Sequence, residues 1–421
     1  MEVIKLAIAK VILNGETLMD VTSNTVNENS LKSGYTATKN DGTEVAGSFK
    51  DQLVDLVEGS PRGYTYFLEG DPAIGILSQA SRVKFGAYAK INFMYNKNIS
   101  LPYASYISDY AFYICPWLSS VNAPLCLSIG SYAFASCTDL TSISFPICTS
   151  IGGYGFYRCQ SLLEANFPSC SAIGASAFQD CSKLTTGNFP LCTSIYNYAF
   201  GSCRSLQSIN LPICSHIGDH AFYYCSNITN INLPSCKSIG TYAFNYCSSL
   251  TNISVNSAYS RIDSATFRGC KLLSSFNFDN ITSISNYAFC ECDFRALIFS
   301  HISQGPFFST NAFGSNYNLS YVFLNNTLST GSVNIYAAFV CCSRLLSLYL
   351  LGSASYYNGY NSSFLSGTPI SSTTTYTDGV YGSIYVPASY YNMYISTRGW
   401  SEYASRIVSL TDSEIEALSF I

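Results

Sequence analysis

The sequence predicts a repeat solenoid of short parallel strands, built from about twelve units of 22 residues. Two columns carry this expectation. Phe112, Phe134, Phe156, Phe178, Phe200, Phe222 and Phe244 fall at one interval, and Pro102, Pro124, Pro146, Pro168, Pro190, Pro212 and Pro234 keep the same step. A fixed period of this length means that each unit buries its apolar face only against the next. The third observation lies inside the unit. In Leu140-Thr-Ser-Ile143-Ser-Phe145-Pro146 the apolar side chains face one way, while Ser142 and Ser144 face the other.

In chain order, the first 60 residues stand apart and read as a small β-rich attachment module. Asn14-Gly15 and Asp41-Gly42 are hairpin signals between strand-like segments. Thr25-x-x-Glu28 caps a short helix that Gly34 stops. Met1 to Gly15 has an apolar stretch, but Glu2, Lys5 and Lys10 interrupt it and no small-residue cleavage site follows. It therefore reads as a strand rather than a signal peptide, which implies synthesis in the cytoplasm. Residues 61–84 read as a linker or N-terminal cap.

The solenoid is expected over 85–351. Its first copy, Phe85-Gly86 with Tyr88-Ala89-Lys90, is degenerate, and Lys90 in the Phe place suggests a polar cap. In a regular unit Pro146 ends the strand for want of an N–H. Ile151-Gly152 then turns the chain, and Tyr154-x-Phe156-x-x-Cys159 forms a single helical turn on the opposite side. Phe267, Phe289, Phe313 and Phe339 follow at steps of 23, 22, 24 and 26. Their strands read Leu273-x-x-Phe276-x-Phe278, Phe294-x-x-Leu297-x-Phe299, Leu319-x-x-Val322-x-Leu324 and Leu345-x-x-Leu348-x-Leu350. Twelve units at one strand spacing each give a length of about 55 Å. Residues 352–382 form a Tyr/Ser/Gly-rich loop, too polar for a core and long for a connection. A C-terminal cap fills 383–421: Ile384 to Pro387 restarts a strand, Tyr390 to Ile407 reads as helical, and a capping box at Thr411-x-x-Glu414 opens a last short helix.

Strand, turn and helical turn within 22 residues match a leucine-rich repeat. The fuller word Ile-Gly-x-Tyr-Ala-Phe-x-x-Cys-x-x-Leu-x-x-Ile-x-Leu-Pro is seen in Ile239 through Phe244 and Cys203 through Pro212. It resembles the BspA-like leucine-rich repeats of bacterial and phage proteins, over about two-thirds of the chain. Asp20 to Gly47 resembles a small module of tail-associated and structural proteins from phages and prophages of Gram-positive bacteria. Together these resemblances imply a virion or tail assembly as a partner of the N-terminal module.

Composition narrows the function. Charged residues are only 11% and the net charge is −4, which argues against nucleic acid, whose phosphates need a basic stripe. No apolar run of about 18 residues predicts a membrane span. Between Cys115 and Cys247 cysteines recur every 11 residues, and all 18 lie between Cys115 and Cys342. One strand spacing is within reach of a disulfide, but no zinc spacing exists, and cytoplasmic synthesis favours buried free thiols. His216-x3-His220 near Cys225 invites a metal reading. Both positions, however, align with Ser, Ala or Tyr of other copies, so they read as surface variation, and no metal or other cofactor is implied. No nucleophile–base pair, phosphate loop or carboxylate pair points to an enzyme.

The outward strand positions say more. Ser120/Asn122, Ser142/Ser144, Glu164/Asn166, Thr186/Asn188, Ser208/Asn210, Asn230/Asn232 and Asn252/Ser254 predict a neutral, hydrogen-bonding face. Late copies change to Ala296/Ile298, Tyr321/Phe323 and Ser347/Tyr349. These aromatics are either covered by 352–382 or form a contact patch. In the second case Tyr321, Phe323, Tyr349, Tyr356, Tyr357, Tyr360 and Asn361 are the candidate binding residues, and the Phe column is structural. The function expected is a non-enzymatic recognition or adhesion solenoid, tail-associated, binding a protein or cell-surface glycan on a bacterial surface. The alternative is a BspA-like cell-surface adhesin that binds host proteins. Self-association is left open.

Overall fold

The computed structural model describes residues 97–102, 104–299, 307–325, 333–335, 337–353, 364–371 and 381–418. It also gives the backbone of eight short strands before residue 92 and of one at Tyr357–Asn358. The chain forms two compact units, Met1–Leu211 and Pro212–Ile421, divided within the run of repeats.

In the first unit Lys10–Leu13 pairs antiparallel with Glu16–Asp20, and Thr36–Thr38 with Glu44–Ala46, on either side of the two expected hairpin turns. The expected helix after Thr25 lies outside the described residues. Parallel pairing begins before 85: Val54–Leu56, inside the stretch read as the attachment module, pairs with Val83–Phe85, and Tyr64–Thr65, inside the stretch read as a linker, pairs with Lys90–Ile91.

Each regular repeat supplies two strands. Front strands pair in parallel in steps of 22 residues, as two groups of three: Asn98–Ser100, Ser120–Asn122 and Ser142–Ser144, then Glu164–Asn166, Thr186–Asn188 and Ser208–Asn210. Back strands of two residues, among them Ser128–Ile129, Ser150–Ile151 and Ala172–Ile173, form a second parallel sheet. Ile151 is thus a strand residue with a buried side chain and not part of a turn; only Gly152 leaves the sheet.

The expected helical turn is also different. Tyr132 and Ser136 take φ of 57° and 63°, and the same pair of places is left-handed in every regular repeat. Such backbone costs roughly 1–3 kcal/mol per residue, and the compensation is hydrogen bonding between repeats. Tyr132, Phe134 and Ser136 donate their N–H groups to the carbonyls of Gly153, Gly155 and Tyr157 at 2.7–2.9 Å, a third ladder that a helical turn would forfeit.

Between these ladders lies the core. The Phe column is fully buried, with rings of successive repeats stacked at 5.1–5.2 Å from Phe112 to Phe200. The two inward places of a front strand hold Ile143 with Phe145, Ala165 with Phe167, Gly187 with Phe189, and Ile209 with Leu211. A Cβ on Gly187 would come 3.0 Å from Ile209 Cγ1 and 3.1 Å from Phe189 Cε2, so the core is tightly packed at this place.

All 18 cysteines are free, and all but Cys341 are buried. One column donates Sγ to the carbonyl of a Phe in the preceding repeat, as Cys159 does to Phe134 at 3.1 Å. The other donates to the carbonyl two residues on, as Cys148 does to Ser150 at 3.2 Å.

In the second unit front strands Asn230–Leu233 and Asn252–Val255 pair with each other. The next front strand, expected across Leu273 to Phe278, is missing. The sequence explains this. Phe276 and Phe278 put two rings where neighbours hold Ile253 with Val255 or Leu297 with Phe299, and overfilled sites force the backbone to move. Phe278 instead packs against Phe289, Phe299 and Phe313, at centroid distances of 5.5, 4.9 and 5.9 Å. The front sheet resumes with Ala296–Phe299, Tyr321–Leu324, Ser347–Leu350, Ser383–Pro387 and Ile407–Leu410.

Ile407 therefore opens a strand; the helical part before it is Tyr391–Ser396 and a 3-10 segment, Ser401–Arg406. The stretch 352–382 is not wholly polar either. Phe364, Leu365 and Ile370 are buried, and the Phe364 ring meets Trp400 and Tyr403 at 5.2 and 5.4 Å. The capping box forms as expected: Thr411 N–H donates to Glu414 Oε2 at 2.7 Å, and the helix runs over Asp412–Leu418.

Candidate recognition surface

Parallel pairing places the outward front-strand side chains in straight columns. In the first unit Ser142, Ser144, Glu164, Asn166, Thr186, Asn188, Ser208 and Asn210 are all exposed, and Glu164 carries the one charge among them. The carboxamides bond to one another: Asn188 Nδ2 donates to Asn166 Oδ1 at 2.9 Å, and Asn210 Nδ2 to Asn188 Oδ1 at 3.0 Å. Ser120 Oγ donates to Asn98 Oδ1 at 2.6 Å. The result is a fixed, neutral lattice of donors and acceptors.

The late copies differ from expectation. Phe323 is 8% exposed and belongs to an apolar cluster with Leu351 and Leu410, against which Ile298, Tyr349, Tyr385, Ile415 and Leu418 pack. Phe323 is thus a core residue and not an outward anchor. Among the described residues its cover includes the last strand and helix, through Leu410, Ile415 and Leu418. Tyr349 is half-buried and stacks on Tyr385 at 4.6 Å, while Tyr321 is half-buried in the neighbouring column. Outward aromatics on adjacent strands make a continuous apolar strip, and Ile415 and Leu418 lie on one side of the helix that shields it. Tyr357 is placed only as backbone of a strand, and Tyr356, Tyr360 and Asn361 lie outside the described residues.

A feature that sequence reading missed opens where the front sheet is interrupted. A cleft of about 480 Å³ lies between Asn252–Val255 and the displaced segment, lined by Asn252, Ser254, Asn256, Ser275, Phe276, Asn277, Asn280 and Tyr259, among others. No charged residue lines it. Tyr259 stands in the buried Cys column, reached through one extra residue (Asn256-Ser-Ala-Tyr259 against Pro234-Ser-Cys236). Its hydroxyl is buried without a hydrogen-bond partner, and burial pushes its pKa up.

The profile of the BspA type leucine rich repeat region matches in six copies, over residues 78–185, 105–213, 193–320 and 279–378. The chain belongs to the BspA-type leucine-rich repeat family. No curated protein matches the sequence. Among solved structures the chain is similar to a leucine-rich repeat protein from Bacteroides ovatus, at 21% identity over 63% of this chain and 82% of that one, with a TM-score of 0.44. It is also similar to the pneumococcal vaccine antigen PcpA (14% identity, 90% and 98% covered, TM-score 0.42) and to the T. pallidum leucine rich repeat protein TpLRR (25%, 43% and 80%, TM-score 0.32).

Within these BspA-type repeats the histidines are accounted for by their neighbours. His216 Nδ1 lies 2.6 Å from Ser238 Oγ, and the His220 ring stacks on Tyr242 at 4.9 Å, where burial lowers its pKa. His301 lies outside the described residues. Among the described residues no three His, Cys, Asp or Glu side chains gather as for a metal, and no helix is long and apolar enough to cross a membrane. On the turn side Tyr110, Tyr132 and Tyr154 stack at 4.8 and 4.5 Å. Tyr132 thus has a ring on both faces, and Ser176 takes the next place after Tyr154.

Proposed function

We propose that this BspA-type chain is a non-enzymatic recognition and adhesion solenoid, carried on a phage or phage-like tail and directed at a bacterial surface. The observation that carries recognition is the outward face of the first unit, where Asn166, Asn188 and Asn210 are exposed, nearly uncharged in surroundings and bonded to one another. Groups already held in place lose little freedom on binding, and a neutral lattice suits an uncharged protein or glycan partner. BspA-like repeat proteins are typically surface or adhesion proteins, which supports the coarser role. The likeness of residues 20–47 to tail-associated modules supports attachment to a tail. The same family membership favours the second reading, a cell-surface adhesin for host proteins.

One experiment addresses both. Labelled full-length protein is offered to Gram-positive cells and to surfaces coated with host matrix proteins. Retention on cells is expected. The triple variant Asn166→Ala, Asn188→Ala, Asn210→Ala should lose about tenfold in affinity with its melting midpoint kept. Retention on matrix proteins alone selects the adhesin, and equal binding by the triple variant moves recognition off this face.

A further inference from the structure

We propose that the cleft at the break in the front sheet binds a neutral saccharide of one or two rings; this deepens the recognition reading and rests on it. The cleft is built by three departures from the repeat, all within the second unit. Phe276 and Phe278 overfill one strand and displace it, one extra residue loops out after Val255, and Tyr259 replaces a buried cysteine. Its volume of about 480 Å³ falls in the range of small-molecule sites, roughly 300–1,000 Å³.

The lining selects the chemistry. Asn252, Asn256, Asn277 and Asn280 offer carboxamides, and Ser254, Ser257 and Ser275 offer hydroxyls, so the lining holds both donors and acceptors. Two of the carboxamides are held in place. Asn256 Nδ2 donates to the Pro234 carbonyl at 2.6 Å and its Oδ1 accepts from Ala258 N–H at 2.7 Å; Asn277 Oδ1 accepts from Asp279 N–H at 2.9 Å. With no charge in the lining, an anionic or cationic ligand would lose hydration without an ionic partner. A polyhydroxylated ring is matched instead: hydroxyls to the amides, and weakly positive C–H groups to the negative face of half-buried Phe276. Tyr259 forms part of the cleft wall, with its hydroxyl buried on the core side. The free edge of Asn252–Val255 would also accept a peptide strand, but the exposed side chains of that edge, Asn252 and Ser254, give it no apolar anchors.

The test uses full-length protein and neutral disaccharides (β-linked glucose, galactose and N-acetylglucosamine pairs), an acidic disaccharide, and an eight-residue Val/Thr peptide, read by saturation-transfer NMR and calorimetry. At least one neutral disaccharide should bind, with the acidic one and the peptide silent. Asn277→Ala should weaken binding about tenfold and Ser275→Trp should abolish it. Both positions are exposed, so the melting midpoint should be kept. Binding of the peptide alone, no saccharide bound at about 10 mM, or saccharide binding that survives Ser275→Trp would each overturn the assignment. Cell retention separates this from the broader reading: if the unmodified protein holds cells but binds no saccharide, the cleft assignment fails and recognition by the Asn face stands.

Discussion

Replacing Phe178 with Ala tests whether the phenylalanine column is the energetic spine. Phe178 is fully buried and stacks on Phe156 and Phe200 at 5.2 Å on each side, with Phe167 and Phe189 edge-on at 5.9 Å. Its carbonyl also accepts the Cys203 thiol at 3.0 Å. Truncation removes the ring's transfer energy and leaves a cavity that stacked neighbours on a hydrogen-bonded backbone cannot close, so the loss should be about 3–5 kcal/mol. Repeats touch only their neighbours, so the damage should be local. Urea unfolding gives the total. Hydrogen exchange gives the place: the amides of Phe156, Phe178 and Asp180, bonded to Ala177, Ala199 and Gly201 at 2.7, 2.7 and 2.8 Å, should lose protection before those near Phe112. Phe178→Leu, closer in volume, should cost less than the alanine. A loss below about 1 kcal/mol, or protection lost evenly along the chain, would refute the nearest-neighbour argument.

Native protein should react with a thiol reagent at about one site, Cys341, and at all 18 once denatured without reductant; a denatured count near zero would mean disulfides. Burial raises the Cys126 and Cys170 thiols to about 12 and Cys148 to about 11, against 9.0 in the unfolded chain. Stability tied to these neutral thiols is full below about pH 9 and drains as pH rises toward 12, so the melting midpoint should fall across that window, and a flat profile would contradict it. The pair Phe276→Ile and Phe278→Leu restores neighbouring volumes; amides near 274–278 should gain exchange protection as the front ladder re-forms, and no gain would show that side-chain volume is not what displaces the strand.

The fold was legible because periodicity needs no tertiary knowledge. A 22-residue column of Phe, a column of Cys and alternating strands can be satisfied together only by stacking like on like, and the sequence alone determines the coil, the inward columns and the neutral outward face. The capping box was equally local, since Thr411 and Glu414 need only each other. The left-handed turns were not readable, because Tyr132 and Ser136 carry no mark of φ > 0; the bonds that stabilise that backbone go to the next repeat. The fate of Phe323 was likewise hidden, as its cover comes from Ile415 and Leu418, some 90 residues downstream. The missing strand at Phe276 and Phe278 lay between: both residues fit an apolar pattern, and only packing, which counts volume rather than polarity, shows that two rings exceed the space and open a cleft. Pattern sets which way side chains face; contact between distant segments decides what fits, what is covered and what is left open.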